Sequence, residues 1–523
     1  MKKFQYLLTV AGCLMFHPAF GQTTTSTPLI TDTAAARLLD QATWGSTPVS
    51  IAQVQQMGID AWINAQFALN TSDLPDQPIL NSAGMSNNNL APVQAAFFQN
   101  AVTEQDQLRQ RVAFALSEIW VVSAESGVPQ AYAYPPYWRI FRDNAFGNYR
   151  DIIKAVTLSP AMGRYLNMAN NNKANPAKDT SANENYAREL MQLFTLGLTQ
   201  LNANGTPVLA NGIPVPTYDQ SVVTNMAKLL TGWTYPTAPG ATPKTNNPAY
   251  YFGPMFAVES EHDTTAKTIF GNINVPAGQT AEQDLESLLD ALMQQTTMAP
   301  FVSTQLIQHL VTSNPSSAYV GRVANVFLDN GSGVRGDMQA VIQAILTDPE
   351  ARAGDIPGGE SVNFGHLREP VLFMANILRG LNATLTAKSA IYNDTNQLGQ
   401  NLFYAPSVFS YFSPLSRTGK GLFGPEFQIY STQTSADRAN IVNAAIYGKI
   451  DAGTTLNLST FAQYGGNTSE LIDYVSYVFL HHNMSTVLQQ QATDAANAAA
   501  AGTARVQAAL YVVLTSNEYQ VIQ

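Results

Sequence analysis

Cysteine is nearly absent from this 523-residue chain, with Cys13 as its one thiol. Cys13 falls in an N-terminal stretch that reads as a cleavable signal, so the mature chain is expected to hold no disulfide and no thiolate chemistry. Charge is scarce too. Charged residues make up 12% of the sequence, about half the share usual in globular proteins. The 27 Lys and Arg are outnumbered by 37 Asp and Glu, which leaves a net charge of −10. Sequence-independent grip on nucleic acid draws on clustered cations, so this balance argues against nucleic acid as a partner. Beyond the N-terminus no run offers the ~18 uninterrupted apolar residues of a membrane span. With 45% hydrophobic residues, the chain has ample material for a buried core and is not of the disordered class.

Several catalytic signatures are missing as well. There is no Gly-x-Ser-x-Gly elbow, no His-Glu-x-x-His helix and no Walker loop. Gly331-Ser332-Gly333-Val334-Arg335-Gly336 has dinucleotide-loop spacing. It follows a helical pattern rather than a strand and reads as a helix–helix turn. No motif names a cofactor, and no metal-ligand set is assigned.

The N-terminus points to export. Lys2 and Lys3 precede an apolar stretch from Tyr6 to Phe16, and Ala19-Phe20-Gly21 places small residues before Gln22, the layout of a signal peptide over 1–21. A rival reading takes Val10-Ala11-Gly12-Cys13 as a lipidation box. The apolar run before Cys13 is short and continues past it, so export to the periplasm or medium is preferred. Residues 22–31 form a polar lead-in, and 32–523 are taken as one mostly helical unit with a candidate seam at 234–280.

Apolar residues at helical spacing dominate that unit. Thr47-Pro48 fits an N-cap followed by proline in the first turn. Leu108, Val112, Leu116 and Ile119 form one apolar stripe. Helices are also predicted at about 218–231, 282–296, 300–312, 366–380, 432–447, 468–481 and 503–515. Residues 486–502 suit a helix or a tether. Asn211-Gly212 between short apolar stretches marks a hairpin over 208–215, and 234–259 reads as a long irregular loop. The predicted class is all-α, with long irregular insertions and one or two small β-hairpins.

Chemistry concentrates in a few places. Ser181 and Glu184 have capping-box spacing, so Glu184 is either a helix cap or a working carboxylate. On the following helix Tyr186, Leu190, Leu193 and Phe194 form the buried stripe. Glu189 sits at its border, as an ion-pair member or a tuned acid, with Asn183, Asn185 and Arg188 around it. His262-Asp263, with Lys267 close by, could ligate a metal, relay a proton or serve as a local cap. His366 and Glu369 are spaced to share a helical face, with Arg368 between them, but the order and single copy do not fit a di-metal bundle site. His309 lies among apolar neighbours as a core histidine, and His481-His482 ends a helix. Tyr132, Tyr134, Tyr137 and Trp138, and separately Trp233, Tyr235, Tyr250, Tyr251 and Phe252, are aromatic groups suited to the core or to stacking on a sugar or peptide.

Several stretches together resemble one bacterial family, the "domain of unknown function 1800" proteins. These are Ala35-Ala36-Arg37-Leu38-Leu39 with Ala42-Thr43-Trp44-Gly45, Asn183 through Leu190 with Leu193 through Gly197, and Leu230-Thr231-Gly232-Trp233. His262-Asp263, Arg368-Glu369-Pro370, Ala405-Pro406-Ser407-Val408-Phe409 and Gly424-Pro425-Glu426-Phe427 match in the same way. The resemblance implies one largely helical, exported unit and supplies no reaction. The sequence departs from it at 201–217, where a hairpin is inserted.

The expected function is that of an exported protein acting on an envelope or extracellular polymer, a glycan in particular, through paired carboxylates. Glu184, Glu189, Arg188, His262, Asp263 and Glu369 are the catalytic candidates. Asn183, Asn185, Trp233, Tyr235, Lys267 and Arg368 are the binding candidates. The competing expectations are a non-catalytic secreted scaffold that docks a protein partner, and a metal-dependent enzyme built on His262 and Asp263.

Overall fold

The fold is that of a computed structural model, which describes residues 30–523 apart from Pro357 and Lys449. The signal, the site of Cys13 and nearly all of the polar lead-in lie outside the described residues.

Helices carry the architecture, and among the described residues the β-structure amounts to five two-stranded antiparallel pairs and some isolated bridges. This is the mostly helical class expected from the sequence. The predicted helices appear within a few residues of their expected limits, as Gln220–Leu229, Ala281–Gln294, Met298–Leu310, Thr432–Ile446, Thr468–Leu480 and Thr503–Leu514. Helix Pro48–Met57 starts as its proline suggests. Thr47 and Ser50 cap each other's backbone amides, which satisfies donors that a bare first turn would leave free. The hairpin pairs Leu209–Ala210 with Ile213–Pro214. Its turn residues Asn211 and Gly212 have φ of 53° and 79°, the left-handed pair that a tight hairpin needs. Residues 486–502 form mostly helix, Thr486–Ala498.

Two local expectations are corrected. The helix predicted from 366 begins only at Pro370, because proline opens a first turn readily and His366–Leu367 pair instead with Val521–Ile522 as a short strand. His366 and Glu369 therefore share no helical face. The capping box at Ser181 does not form. Helix Asn185–Glu189 starts with Glu184 in the N-cap position and without a side-chain cap. It then widens into a π-helix, Leu190–Thr195. There the Thr195 hydroxyl donates to the Leu190 carbonyl at 2.7 Å. π-turns cost regular hydrogen bonding and occur often at functional places.

With so few charges available, those that enter the core do so in bonded sets. The best connected joins the two ends of the chain. Asp40, on helix Asp32–Ala42, accepts from Arg368 and His481 at 3.0 Å each. It also accepts from the Ser46 amide and Asn376. Asn376 in turn accepts from Tyr519 at 2.7 Å. Burial opposes ionisation of Asp40, yet Arg368 and then His481 hold its carboxyl well below the ordinary range. That stabilisation is present above the unfolded carboxyl value and is lost as pH falls through the folded one. Replacing Asp40 by Asn leaves Arg368 charged and unpaired in the core. It is expected to cost about 3–5 kcal/mol in urea unfolding, and a loss under about 1 kcal/mol would contradict this role.

Candidate functional site

The deepest polar centre forms where five separate segments meet. Helix Gln107–Ile119 supplies Arg111 and Glu118, seven residues apart and so on one face after two turns. Helix Met298–Leu310 supplies His309. Glu369 occupies the N-cap position of helix Pro370–Gly380 without a side-chain cap bond, and Gln400 comes from the irregular segment beyond Leu398. Glu426, in the turn Pro425–Ile429, adds a third carboxyl, with the His366 ring 3.2 Å behind it.

The Glu118 and Glu369 carboxyls converge on one nitrogen, the side-chain amide of Gln400. Two buried carboxylates bridged by one amide repel each other, which favours a proton on one of them. The Gln400 amide donates to both, at 3.1 Å to Glu118 and 2.5 Å to Glu369, and its own carbonyl accepts from the Val371 amide. Burial pushes the Glu118 carboxyl up to about 7. Burial and then the neighbouring Glu118 push Glu369 up to about 8. Burial lowers His309, whose ring nitrogen lies 3.4 Å from Glu118. Arg111 is fully buried. It donates to the His309 carbonyl, while its Nε and Nη1 have no partner. One oxygen each of Glu118 and Glu426, and Nε2 of His366, are likewise unpartnered. Beside Glu118 lies a cavity of about 30 Å³ lined by Tyr134, Tyr137, Trp138, Phe403 and Tyr411, room for a water or two.

A second, open site surrounds the Asn183–Glu189 segment. A hollow of about 490 Å³ is lined by Ser181, Asn183, Glu184, Asn185, Thr224 and Lys228, with Ala174 and Ala182. Glu184 is half-buried. It pairs with Arg188 at 3.0 Å and accepts from Gln220 and Thr224 at 2.8 Å each. Asn183 and Asn171 bond reciprocally, which fixes the hollow's floor. Glu189 lies one turn beyond Asn185 on nearly the same side. Burial raises its carboxyl, and one of its oxygens lacks a partner, as does the hydroxyl of nearby Tyr218. Glu184 and Glu189, five residues apart, point roughly 140° apart around the helix.

The remaining candidates lie below or away from this hollow. His262 is fully buried, with Nδ1 at 2.9 Å from the Thr231 carbonyl and Nε2 at 3.1 Å from Asp284. Lys267 reaches the same Asp284 oxygen at 2.5 Å. Both ring nitrogens of His262 are thus engaged. Asp263 turns away to accept from the Thr265 amide and hydroxyl. Gly232, at φ +86°, lets the chain pass this set: a Cβ there would stand 3.0 Å from the His262 backbone nitrogen. Trp233 and Tyr235 are buried. Tyr132, Tyr134, Tyr137, Trp138 and Tyr251 are also buried, and Tyr132 and Tyr251 stack within 5.2 Å. Arg368 belongs to the Asp40 set, although its neighbour Glu369 faces Glu118. Among the described residues, no group of three or more His, Cys, Asp or Glu is placed to hold a metal ion.

Arg111, Glu118, Gln400 and Asp284 escaped the sequence reading. For the first two a signal existed: Arg111 and Glu118 flank the apolar stripe of Leu108, Val112 and Ile119 on one side, at the border of the core where a lone charge is costly. Gln400 and Asp284 carry no such mark.

Fold and site together define a mostly helical protein organised round a buried carboxyl pair, with an open polar hollow at its π-helix. The chain belongs to the family of proteins of unknown function DUF1800, whose model matches residues 37–521. Comparison with curated proteins and with solved structures returns no match.

The raised carboxyls set a pH dependence. The folded state binds a proton in the pair that the unfolded chain releases above about 4.5, so stability falls as pH rises from there toward 8. Denaturant unfolding is expected to lose a few kcal/mol over that window. In the Glu118→Gln, Glu369→Gln double variant most of that slope should be gone. A wild-type stability that rises across the window would contradict the shared proton.

Proposed function

We propose that this is an exported protein that binds and acts on a hydroxyl-rich polymer, a glycan in particular, at the hollow beside Glu184. The observation that carries the reading is the lining itself. Amides, hydroxyls, one carboxylate and one ammonium face the opening, with only two alanines among them. Such a surface offers donors and acceptors to sugar hydroxyls and little to an apolar ligand. In this reading Asn183, Asn185 and Lys228 bind, Arg188 orients Glu184, and Glu189 is the acid. Burial raises the Glu189 carboxyl, which suits it better than a free one to deliver a proton to a leaving oxygen. The ion-paired Glu184 supplies negative charge within the hollow, while Glu189 stands outside its lining, one turn beyond Asn185.

A second reading, a secreted scaffold, draws on the hairpin. Leu209 and Ile213 are 57% and 69% exposed, and residues 197–217 include no charged side chain, so the arm offers a neutral face to a protein partner. The metal-dependent alternative gains no support from His262, whose ring nitrogens are both occupied.

Glu189→Gln is expected to abolish release of reducing ends from a glycan substrate while the melting temperature stays within about 2 °C of wild type. A variant that keeps full activity would remove Glu189 from the chemistry, and a large fall in melting temperature would assign it to structure. Asn183→Ala with Lys228→Met should weaken oligosaccharide binding about tenfold or more in calorimetry. Undiminished binding would move the site elsewhere.

A further inference from the structure

The carboxyl pair lies outside the hollow and plays no part in the function proposed for it. Its geometry nevertheless couples a proton to a piece of backbone. Gln400 is the clasp: its amide bridges Glu118 and Glu369, and its carbonyl takes the Val371 amide. The segment it leads lies along helices Ala91–Thr103 and Gln107–Ile119 through few further bonds. Gln94 donates to Asn401 and to the Leu402 carbonyl, the Ala124 amide donates to the Phe403 carbonyl at 2.9 Å, and Ser123 donates to the Ala405 carbonyl at 2.6 Å. Phe403 and Ser410 are held at φ of 70° and 64°, conformations that ordinary side chains keep only when their surroundings impose them. Leu402, Phe403, Ala405, Ser410 and Tyr411 form one wall of the small cavity beside Glu118. The opposite wall is mostly helical, with Val121 and Val122 added from the irregular stretch past Ile119.

We infer that the proton shared by Glu118 and Glu369 is a latch that fastens the 398–411 segment over this cavity. With the proton in place the two carboxyls attract, and Gln400 docks on both. Without it, two carboxylates face each other in a dry junction. The groups turned toward them are Arg111, His309, the Glu426 carboxyl with His366 behind it, and the Tyr411 hydroxyl, which donates to the Asn401 carbonyl. Arg111 donates to the His309 carbonyl and makes no ion pair with either carboxyl, so it is poorly placed to neutralise a second charge. Hydration is the available relief. The wall that can yield is the irregular one, because opening a helix would break a cooperative ladder, whereas this segment is held by isolated bonds and by the packing of Leu402 and of Phe403 against Phe97 and Tyr134. Proton loss thus frees the segment and opens a slot lined by Tyr134, Tyr137 and Trp138. The raised carboxyl values place the event near neutral to mildly alkaline pH.

Hydrogen exchange on the full chain tests this, read as protection factors corrected for intrinsic rates, from pH 6 to pH 9. Peptides covering 398–411 should lose protection about tenfold or more as pH rises, while those from helix Pro370–Gly380 hold theirs. In the Glu118→Gln, Glu369→Gln double variant protection of 398–411 should stay flat across the range. Gln400→Met, which cuts the clasp and leaves the pair, should give low protection at every pH. Unchanged wild-type protection would overturn the latch. So would an equal pH-driven fall in the double variant, or a Gln400→Met segment as protected as wild type. Circular dichroism establishes that each variant is folded, and should one fail, the wild type and the other variant still decide the matter.

Discussion

Burying a charge where water cannot follow is the constraint round which this protein is arranged. A chain with so few ionisable residues could keep all of them at its surface. Instead it brings Arg111, Glu118, Glu369 and Glu426 to one buried junction, where the Gln400 amide bridges two carboxyls whose ionisation burial opposes. Because the partners come from helices, a strand end and an irregular segment far apart in sequence, satisfying the junction fixes the relative position of all of them. The Asp40 and Asp284 sets do the same elsewhere with full ionic pairing. The Glu118–Glu369 pair differs in relying on a transferable proton, so its state depends on the medium.

The junction and the hollow are physically connected. Trp120, two residues past Glu118, stacks on Phe194 of the π-helix with ring centres 4.4 Å apart. Gln305, one turn before His309, donates to the Leu193 carbonyl. The π-helix therefore rests on the helices that supply Glu118 and His309, and the α-helical turn before it presents Glu184 and Asn185 to the hollow. That contact is a route by which the junction's packing sets the angle of the segment that faces a ligand.

Much of the helical framework was legible from apolar spacing, proline position and cap residues, because those signals are local. Thr47-Pro48 and Asn211-Gly212 report their turns directly. What the sequence obscured is non-local. His366-Leu367-Arg368-Glu369 reads as a helix start, yet a strand partner from the C-terminus takes its first two residues, and its next two face opposite polar sets. Glu184 has the spacing of a cap but is drawn instead to Gln220 and Thr224 on another helix. The hollow's Asn183, Glu184 and Asn185 were identified from their density of polar groups. The buried pair was half seen, through Glu369, because its partner Glu118 is camouflaged at the border of an apolar stripe.

The central claim is that one proton resides between Glu118 and Glu369 in the folded protein. Infrared difference spectroscopy measures it directly, with the Glu118→Gln, Glu369→Gln double variant as baseline over pH 6 to 9. The account predicts a carbonyl stretch from one buried protonated carboxyl near neutral pH that fades as pH passes about 8. A wild-type spectrum with no such band near neutral pH would contradict it.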